Sequence, residues 1–530
     1  SNLSLSGFYD VNIFNSLNNT FVNCSYDISE EYVNSGSSLV RKWYYRAYVN
    51  DTQGNPKSGA NVSAFNRTNG IEFLNLRTNA SGWTNITEIT DYVNTGGVRN
   101  FYSLYTINAT NRSLRDEHLY NVTNITNNLK DVFTLGKTNT EVTDCMILDQ
   151  PNTIYNMTAN IIKNSFSGTC INIIAKNITF DCRGFNININ PRDITGFNAI
   201  YSNQNQTTIR NCNITLDYNP SFPVASGYGI YLSSSDNSSL LNNNISANAS
   251  HFGIYLQSSN KTSIISNIII TAIRDGITLS SSSNNLLVGN KGASNIADGI
   301  LISSYSDNNI LINNLGTSKS GSGIHIGSIS NNDILINNTG ISNSSYGIWL
   351  NNVVNSTLIK NTGISNSSYG LYLANSDNNS IINQNATGYL SGSFGIYFSF
   401  SKNNTIKDCV YVSGVNWDIF ITGYSDNNTF INCTYNLSKE SIASNSQLIR
   451  KWYYRAYVND TAGRNIANAN VSAYNVFGNS QFNLTTNLSG WTNITEITDY
   501  VNTGGVRNFY SLYTINATNG SLRDEHSYNV

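Results

Sequence analysis

The chain has 530 residues, enough for several domains, but only 12% of them are charged and the formal net charge is −2. That balance, with no basic run anywhere, speaks against a nucleic-acid partner or an anionic membrane surface, and no apolar stretch is long enough to span a bilayer. No leader is visible at Ser1, so the chain reads as a processed or excised segment.

Asparagine, serine and threonine dominate, and Asn-x-Ser/Thr sequons are dense: Asn18, Asn61, Asn66, Asn79, Asn85, Asn108, Asn121, Asn156, Asn177, Asn213, Asn237, Asn248 and many more. Such a composition makes sequons by chance, yet their density points to an N-glycosylated extracellular protein. Seven cysteines at structural spacings point the same way.

In chain order, residues 1–37 read as the terminal rung or rungs of a preceding coil and a linker. FVNCSY around Cys24 matches FINCTY around Cys433, 409 residues on, and Cys24 is expected to be unpaired or joined to another chain.

Residues 38–136 form a module that recurs. RKWYYRAYVNDT begins at Arg41 and again at Arg450, and residues 84–111 are identical to 492–519. Trp43, Tyr45, Ala47 and Val49 alternate with Tyr44, Arg46 and Tyr48, a strand pattern, and turn-bounded strands follow it. About seven short strands suit an immunoglobulin-like sandwich. The second copy, residues 441–530, has no counterpart to KDVFTL at 130–135, so either the polypeptide continues or a neighbouring chain supplies that strand.

Residues 137–440 carry a shorter period. GIYL at 229 and 253, GITL at 276, GILI at 299, GIHI at 323, GIWL at 347, GLYL at 370 and GIYF at 395 recur every 23 to 25 residues. Short alternating strands between Ser/Asn/Gly turns cannot close a core singly, but stacked copies can, which predicts a parallel β-helix of about eleven rungs with two or three strands each. One further column reads Cys182, Cys212, Asn243, Asn267, Asn290, Asn314, Asn338, Asn361, Gln384, Cys409, Cys433. Stacked amides there would form a ladder. Cysteines on adjacent rungs, about 4.8 Å apart, are within disulfide reach, so Cys182–Cys212 and Cys409–Cys433 are either cystines stapling the terminal coils or buried thiols. Cys145 and Cys170 lie ahead of the column and are expected to close the cap of the coil.

The module resembles the carboxypeptidase-regulatory-like sandwich family on YVNDTQGNPKSGANVSAFN followed by TNASGWTNI, which implies a noncatalytic spacer or adhesion domain. The coil resembles right-handed parallel β-helix repeats of the pectate-lyase-like superfold, in particular those of archaeal surface proteins and of the periplasmic copper protein NosD type. The stretches that carry this are TDCMILDQPNTIYNMTANIIKNSFSGTCINIIAKNITFDCRGFNI and AIYSNQNQTTIRNCNI. Fold implies little about activity in that group.

Candidate site residues are few. Asp275 and Asp298 precede the glycines of consecutive rungs, beside Arg274, and are weak candidates for a divalent-ion or acid/base pair. His118, His251, His325 and His526 show no ligand spacing, so no cofactor is expected and the copper association is not carried over. The x of G-I-x-L should point outward, giving an aromatic stripe of Tyr231, Tyr255, Trp349, Tyr372 and Tyr397 whose ring faces suit sugars or a protein interface. The stripe is interrupted in the middle, which reads as two contact zones rather than a central catalytic cleft. The chain is therefore expected to be an all-β, structural, nonenzymatic cell-surface protein that assembles head-to-tail with copies of itself into a glycosylated filament, stalk or S-layer. A glycan-binding adhesin is the alternative, and a secreted polysaccharide lyase or hydrolase a third.

Overall fold

The computed structural model is all-β and describes residues 10–530 apart from 27, 29–30, 67–71, 103–104, 113, 121, 123–128, 137, 192–195, 218–226 and 249. The chain divides into two compact units, residues 1–140 with 152–154, and residues 141–151 with 155–530.

In the second unit a typical rung has three strands. The chain passes through Gly227–Ser233, turns into Ser239–Leu241, turns again into Asn244–Ala247 and returns as Phe252–Gln257. The return is parallel and in register, with Ile230 opposite Ile254 and Tyr231 opposite Tyr255. Repetition builds three parallel sheets, here called the first, second and third in the order the chain visits them; the first has 13 strands and the third 11. Alternation decides which side chains go in: Ile230, Leu232, Leu240 and Ile245 of this rung are fully buried in one continuous apolar core. The glycine of G-I-x-L is there because the third sheet runs close behind it. A Cβ on Gly370 would lie 2.2 Å from the backbone N of Thr387 in the third sheet, so no side chain fits.

The corners hold polar ladders, two of them built mainly on asparagine. From Asn243 through Asn267, Asn290, Asn314 and Asn338 to Asn361, each side-chain Nδ2 donates to the next rung's Oδ1 at 2.9–3.0 Å, inside the coil. Cystines occupy the same column at its ends, Cys182–Cys212 and Cys409–Cys433, each with Cα atoms 4.7 Å apart, and Cys145–Cys170 closes the start. Those cystines fit an oxidising, extracytoplasmic compartment.

A second ladder, between the first and second sheets, runs through Asn285, Asn309, Asp333, Ser356, Asn379, Asn404 and Asn428 by backbone N–H donation to the next rung's side-chain oxygen. Asp333 is its one acid. It is fully buried, its Oδ2 has no hydrogen-bond partner among the described residues, and burial holds its carboxyl well above the ordinary range. An acid whose folded pKa is raised contributes stability below its unfolded pKa, and that contribution is lost as pH rises toward the folded pKa. Asp333→Asn is therefore expected to raise stability by about 1–3 kcal/mol at pH 7 and to make no difference below pH ~4, as followed by denaturation at the two pH values.

The second sheet runs on beyond the coil. Asn428–Ile431 pairs in parallel with Gln447–Tyr454, which pairs antiparallel with Thr495–Thr503, and a second four-stranded sheet follows. At this junction the buried carboxylate of Glu440 accepts from Tyr435 Oη at 2.6 Å, Asn502 Nδ2 at 2.7 Å, Arg507 Nε at 2.8 Å and also from Tyr500 Oη.

The first unit, described by itself, repeats that junction. Asn19–Val22 pairs in parallel with Ser38–Tyr45, which pairs antiparallel with Thr87–Thr95, and Glu31 accepts from Tyr26, Tyr92, Asn94 and Arg99. Among the described residues from 38 to 136 there are nine strands rather than about seven, because the stretch 38–51 breaks in two at Arg46 and Asp131–Leu135 adds a parallel edge beside Ala47–Asp51. Trp43, Tyr45, Ala47 and Val49 are buried as their alternation requires. In the second copy the equivalent stretch makes only the bridges Tyr457–Trp491 and Asn459–Asn465, and Ala456 and Val458 are only partly covered. Cys24 takes part in none of the three cystines; its Sγ lies 3.4 Å from the carbonyl oxygen of Val22.

Candidate functional site: the outward face of the first sheet

Two outward columns run up the first sheet, the x of G-I-x-L and the residue before each glycine. They are aromatic at both ends. The first bank holds Tyr228, Tyr231, Phe252 and Tyr255, with Tyr228 stacked on Phe252 at 5.2 Å. The second holds Tyr346, Trp349, Tyr369, Tyr372, Phe394 and Tyr397, with Tyr369 on Phe394 and Tyr372 on Tyr397 both at 4.8 Å and nearly coplanar. Phe420 extends this bank by one more rung, although its strand lacks the glycine that flagged the others. The structure corrects one expectation: ring faces are used against neighbouring rings, so the banks present edges and tyrosine hydroxyls outward.

Between the banks lie three rungs of short side chains, carrying Asp275 and Thr278, then Asp298 and Leu301, then Ser322 and His325. Three rungs span about 14 Å, and flanking rings wall them at both ends. What reads in sequence as an interruption is thus a polar notch. The ring faces of its walls are covered by polar neighbours: Arg274 lies over Phe252 at 5.2 Å, and the imidazole of His325 stacks on Trp349 at 3.9 Å.

The floor is tightly wired. Asp275 Oδ1 accepts from the backbone N of Asp298 at 2.9 Å and Oδ2 from Thr278 Oγ1 at 3.1 Å. Burial, then the neighbouring Asp298 carboxylate, hold the Asp275 carboxyl up at about 6. Asp298 Oδ1 accepts from the backbone N of Ser322 at 2.6 Å, and its Oδ2 pairs with His325 Nδ1 at 2.9 Å. His325 leans over Gly327, where a Cβ would lie 2.6 Å from its Nε2. His325 Nε2 and Trp349 Nε1 are both buried without a hydrogen-bond partner among the described residues.

Sequence reasoning missed the Asp298–His325 pair, since it counted His325 as scattered; placing Asp298 before the glycine and His325 one rung on would have found it. His251 is a core residue, with Nδ1 accepting from Gly227 N at 3.0 Å and burial pushing its pKa down to about 4. Of the sequons singled out, Asn61, Asn79, Asn85, Asn237 and Asn248 are exposed, and Asn18, Asn108, Asn177 and Asn213 are either exposed or half-buried. Asn66 and Asn156 are buried and are not presented by the folded chain, while Asn121 lies outside the described residues.

Several solved structures are similar. The mannuronan C-5 epimerase AlgE6 A-module of Azotobacter vinelandii matches at 12% identity and TM-score 0.39, over 59% of this chain and 89% of that one. The tailspike protein of Escherichia coli bacteriophage HK620, in complex with a pentasaccharide, matches at 12% identity and TM-score 0.36, over 76% and 82%. The DFA-IIIase of Arthrobacter chlorophenolicus A6 matches at 9% identity and TM-score 0.34, over 57% and 86%. The expectation of a nonenzymatic chain is corrected on this finding, because epimerases and a DFA-IIIase stand among the similar structures and a parallel coil is no mark of an inert rod. No curated protein sequence matches the chain.

One family matches as well, described as periplasmic copper-binding protein (NosD), over residues 195–344 and 268–481. The donor set does not fit copper: among the described residues no three His, Cys, Asp or Glu side chains gather, and six cysteines are in cystines. Asp275 and Asp298, the weak metal candidates, have three of their four carboxylate oxygens committed to protein N–H or O–H donors and the fourth paired with His325. Since the two matches together run from residue 195 to 481, more than half of the 530 residues, the chain belongs to the NosD family.

Proposed function

We propose that this chain is an extracellular carbohydrate-binding rod that holds an extended polysaccharide along the outward face of its first sheet, centred on the notch between the aromatic banks. The observation that carries the reading is the three-rung polar floor walled by Phe252 and Trp349. Rungs repeat at about 4.8 Å, close to the advance of one sugar in an extended chain, so successive sugars would meet equivalent groups. Ring edges and tyrosine hydroxyls supply apolar contact and hydrogen bonds together. Two carboxylates on the floor disfavour a uronate chain, which points to a neutral polymer. The Asp298–His325 pair, with Asp275 protonating near pH 6, equips the same floor for proton transfer to or from a bound sugar.

The test is retention of the chain on immobilised β-linked glucan, xylan and mannan, with alginate as the acidic comparator. Trp349→Ala is expected to weaken retention about tenfold, or ~1.4 kcal/mol, and Tyr397→Ala, two rungs beyond Trp349, far less. Equal losses from both variants, or retention on alginate alone, would overturn this reading. New reducing or unsaturated ends that vanish in Asp298→Asn would mark the proton transfer as catalytic.

The domain plan belongs to the same proposal: residues 1–37 as the end of a preceding coil, 38–136 and 441–530 as immunoglobulin-like sandwiches, and 137–440 as the coil. The Glu31 and Glu440 junctions have matching partners 409 residues apart, which supports a repeating unit and, with it, a surface filament or layer built head-to-tail. Imaging of native material tests that part: an axial repeat of one unit supports it and isolated particles oppose it.

A further inference from the structure

The corner between the first and second sheets places an asparagine in the left-handed region on eight rungs, with Lys261 in that position on the rung between Asn237 and Asn284. Asn237, Asn284, Asn308, Asn332, Asn355, Asn378, Asn403 and Asn427 all have φ between 54° and 60° and all are exposed. Two residues on, the chain differs. Five of these asparagines are followed there by Ser239, Thr357, Ser380, Thr405 or Thr429, which completes a sequon; the other three are followed by Leu286, Ile310 and Ile334, which does not. Those three corners belong to the three rungs that carry Asp275, Asp298 and His325. Residues 261–336 hold eleven asparagines and not one sequon; the sequons that bound this stretch are Asn260 and, at the corner between the second and third sheets, Asn337. Backbone and exposure are the same at all eight corners, so only the acceptor motif has been withdrawn, and it is withdrawn beside the notch.

We propose that N-linked oligosaccharides are carried on this corner at the flanking rungs and withheld from this corner on the three central rungs, leaving an unglycosylated belt along it through which a polysaccharide reaches the notch. In the modification, the side-chain amide nitrogen bonds to the anomeric carbon of an oligosaccharide activated on a polyprenyl phosphate. The bond from that carbon to the phosphate oxygen breaks, the polyprenyl phosphate leaves, and the amide gives up one proton. Sugars attached at Asn237 on one side, and at Asn355, Asn378, Asn403 and Asn427 on the other, then stand beside the two aromatic banks but not beside the floor. The access part of this inference rests on the polysaccharide reading above; the glycan map does not.

The full chain, made in a host that glycosylates Asn-x-Ser/Thr, is mapped by glycopeptide mass spectrometry. Glycans are expected at those five asparagines, and their absence overturns the proposal. The double variant I310T/I334T completes sequons at Asn308 and Asn332 with residue types already present at this position on neighbouring rungs. It is expected to gain two glycans and to lose at least tenfold in retention on the glucan, xylan or mannan surface that holds the parent chain best. The same substitutions combined with N308Q and N332Q, which remove the acceptors, are expected to bind as the parent does. Belt glycans that leave retention unchanged overturn the access role, as does loss of retention in the acceptor-less variant. A parent chain that binds none of the three polymers sinks the polysaccharide reading and the access role with it, while the glycan map stands or falls by itself.

Discussion

Asn314→Leu is expected to destabilise the coil by about 2–6 kcal/mol, a large effect for a substitution that adds no bulk beyond a methyl-sized change. Asn314 Oδ1 accepts from the backbone N and the Nδ2 of Asn290, and its Nδ2 donates to Leu287 O and Asn338 Oδ1, all at 2.9 Å. Leucine makes none of these bonds. The N–H of Asn290 and the carbonyl of Leu287 are left buried beside apolar side chains, each orphan costing about 1–3 kcal/mol. The loss is local, because each rung of a solenoid contacts mainly its neighbours. Amide hydrogen exchange should therefore accelerate around residues 287–314 before the ends of the coil respond. Uniform acceleration along the coil would contradict the ladder's nearest-neighbour character.

Glu440→Gln is expected to cost about 3–5 kcal/mol, measured by denaturation of the full chain. The carboxylate is inaccessible to solvent and takes hydrogen bonds from Tyr435, Tyr500, Asn502 and Arg507, while Arg507 also donates to Leu437 O at 2.6 Å. Glutamine keeps the shape but turns one acceptor into a donor that faces other donors, and leaves the guanidinium without its counter-charge. These groups join the last rung, through Tyr435 and Glu440, to the strand Thr495–Thr503 and the hairpin after it. The substitution should then separate the melting of the module from that of the coil. A single unchanged transition would mean that the shared sheet alone holds the junction.

The coil was legible because its period is strong: glycines excluded by the close backbone of the third sheet, and apolar residues pointing inward, repeat at a nearly constant step. The Asn ladder and the cystines followed from the same register. The second ladder was not legible, since Asn285, Asn309 or Ser356 at a corner look like ordinary turn residues until the preceding rung supplies their donors. The Glu31 and Glu440 junctions were hidden for a related reason, as their partners arrive from more than 60 residues away. At the candidate site the aromatic columns were expected to point outward with their ring faces open. Side-chain spacing of one rung makes neighbouring rings cover each other, and at the notch the rings of Phe252 and Trp349 turn a face to Arg274 and His325 instead.

The direction of the backbone hydrogen bonds has a mechanical consequence. In a stack of parallel rungs those bonds lie along the rod, so a pull along its axis loads them end-on and would detach rungs singly rather than shear whole strands at once. Peeling starts where a rung has one neighbour. Cys145–Cys170 and Cys182–Cys212 at one end and Cys409–Cys433 at the other bond adjacent rungs covalently at those places. Tension that would unravel an uncrosslinked coil from its ends is borne there by sulfur, and the uncrosslinked rungs between, which carry the notch, are shielded from the first step of failure.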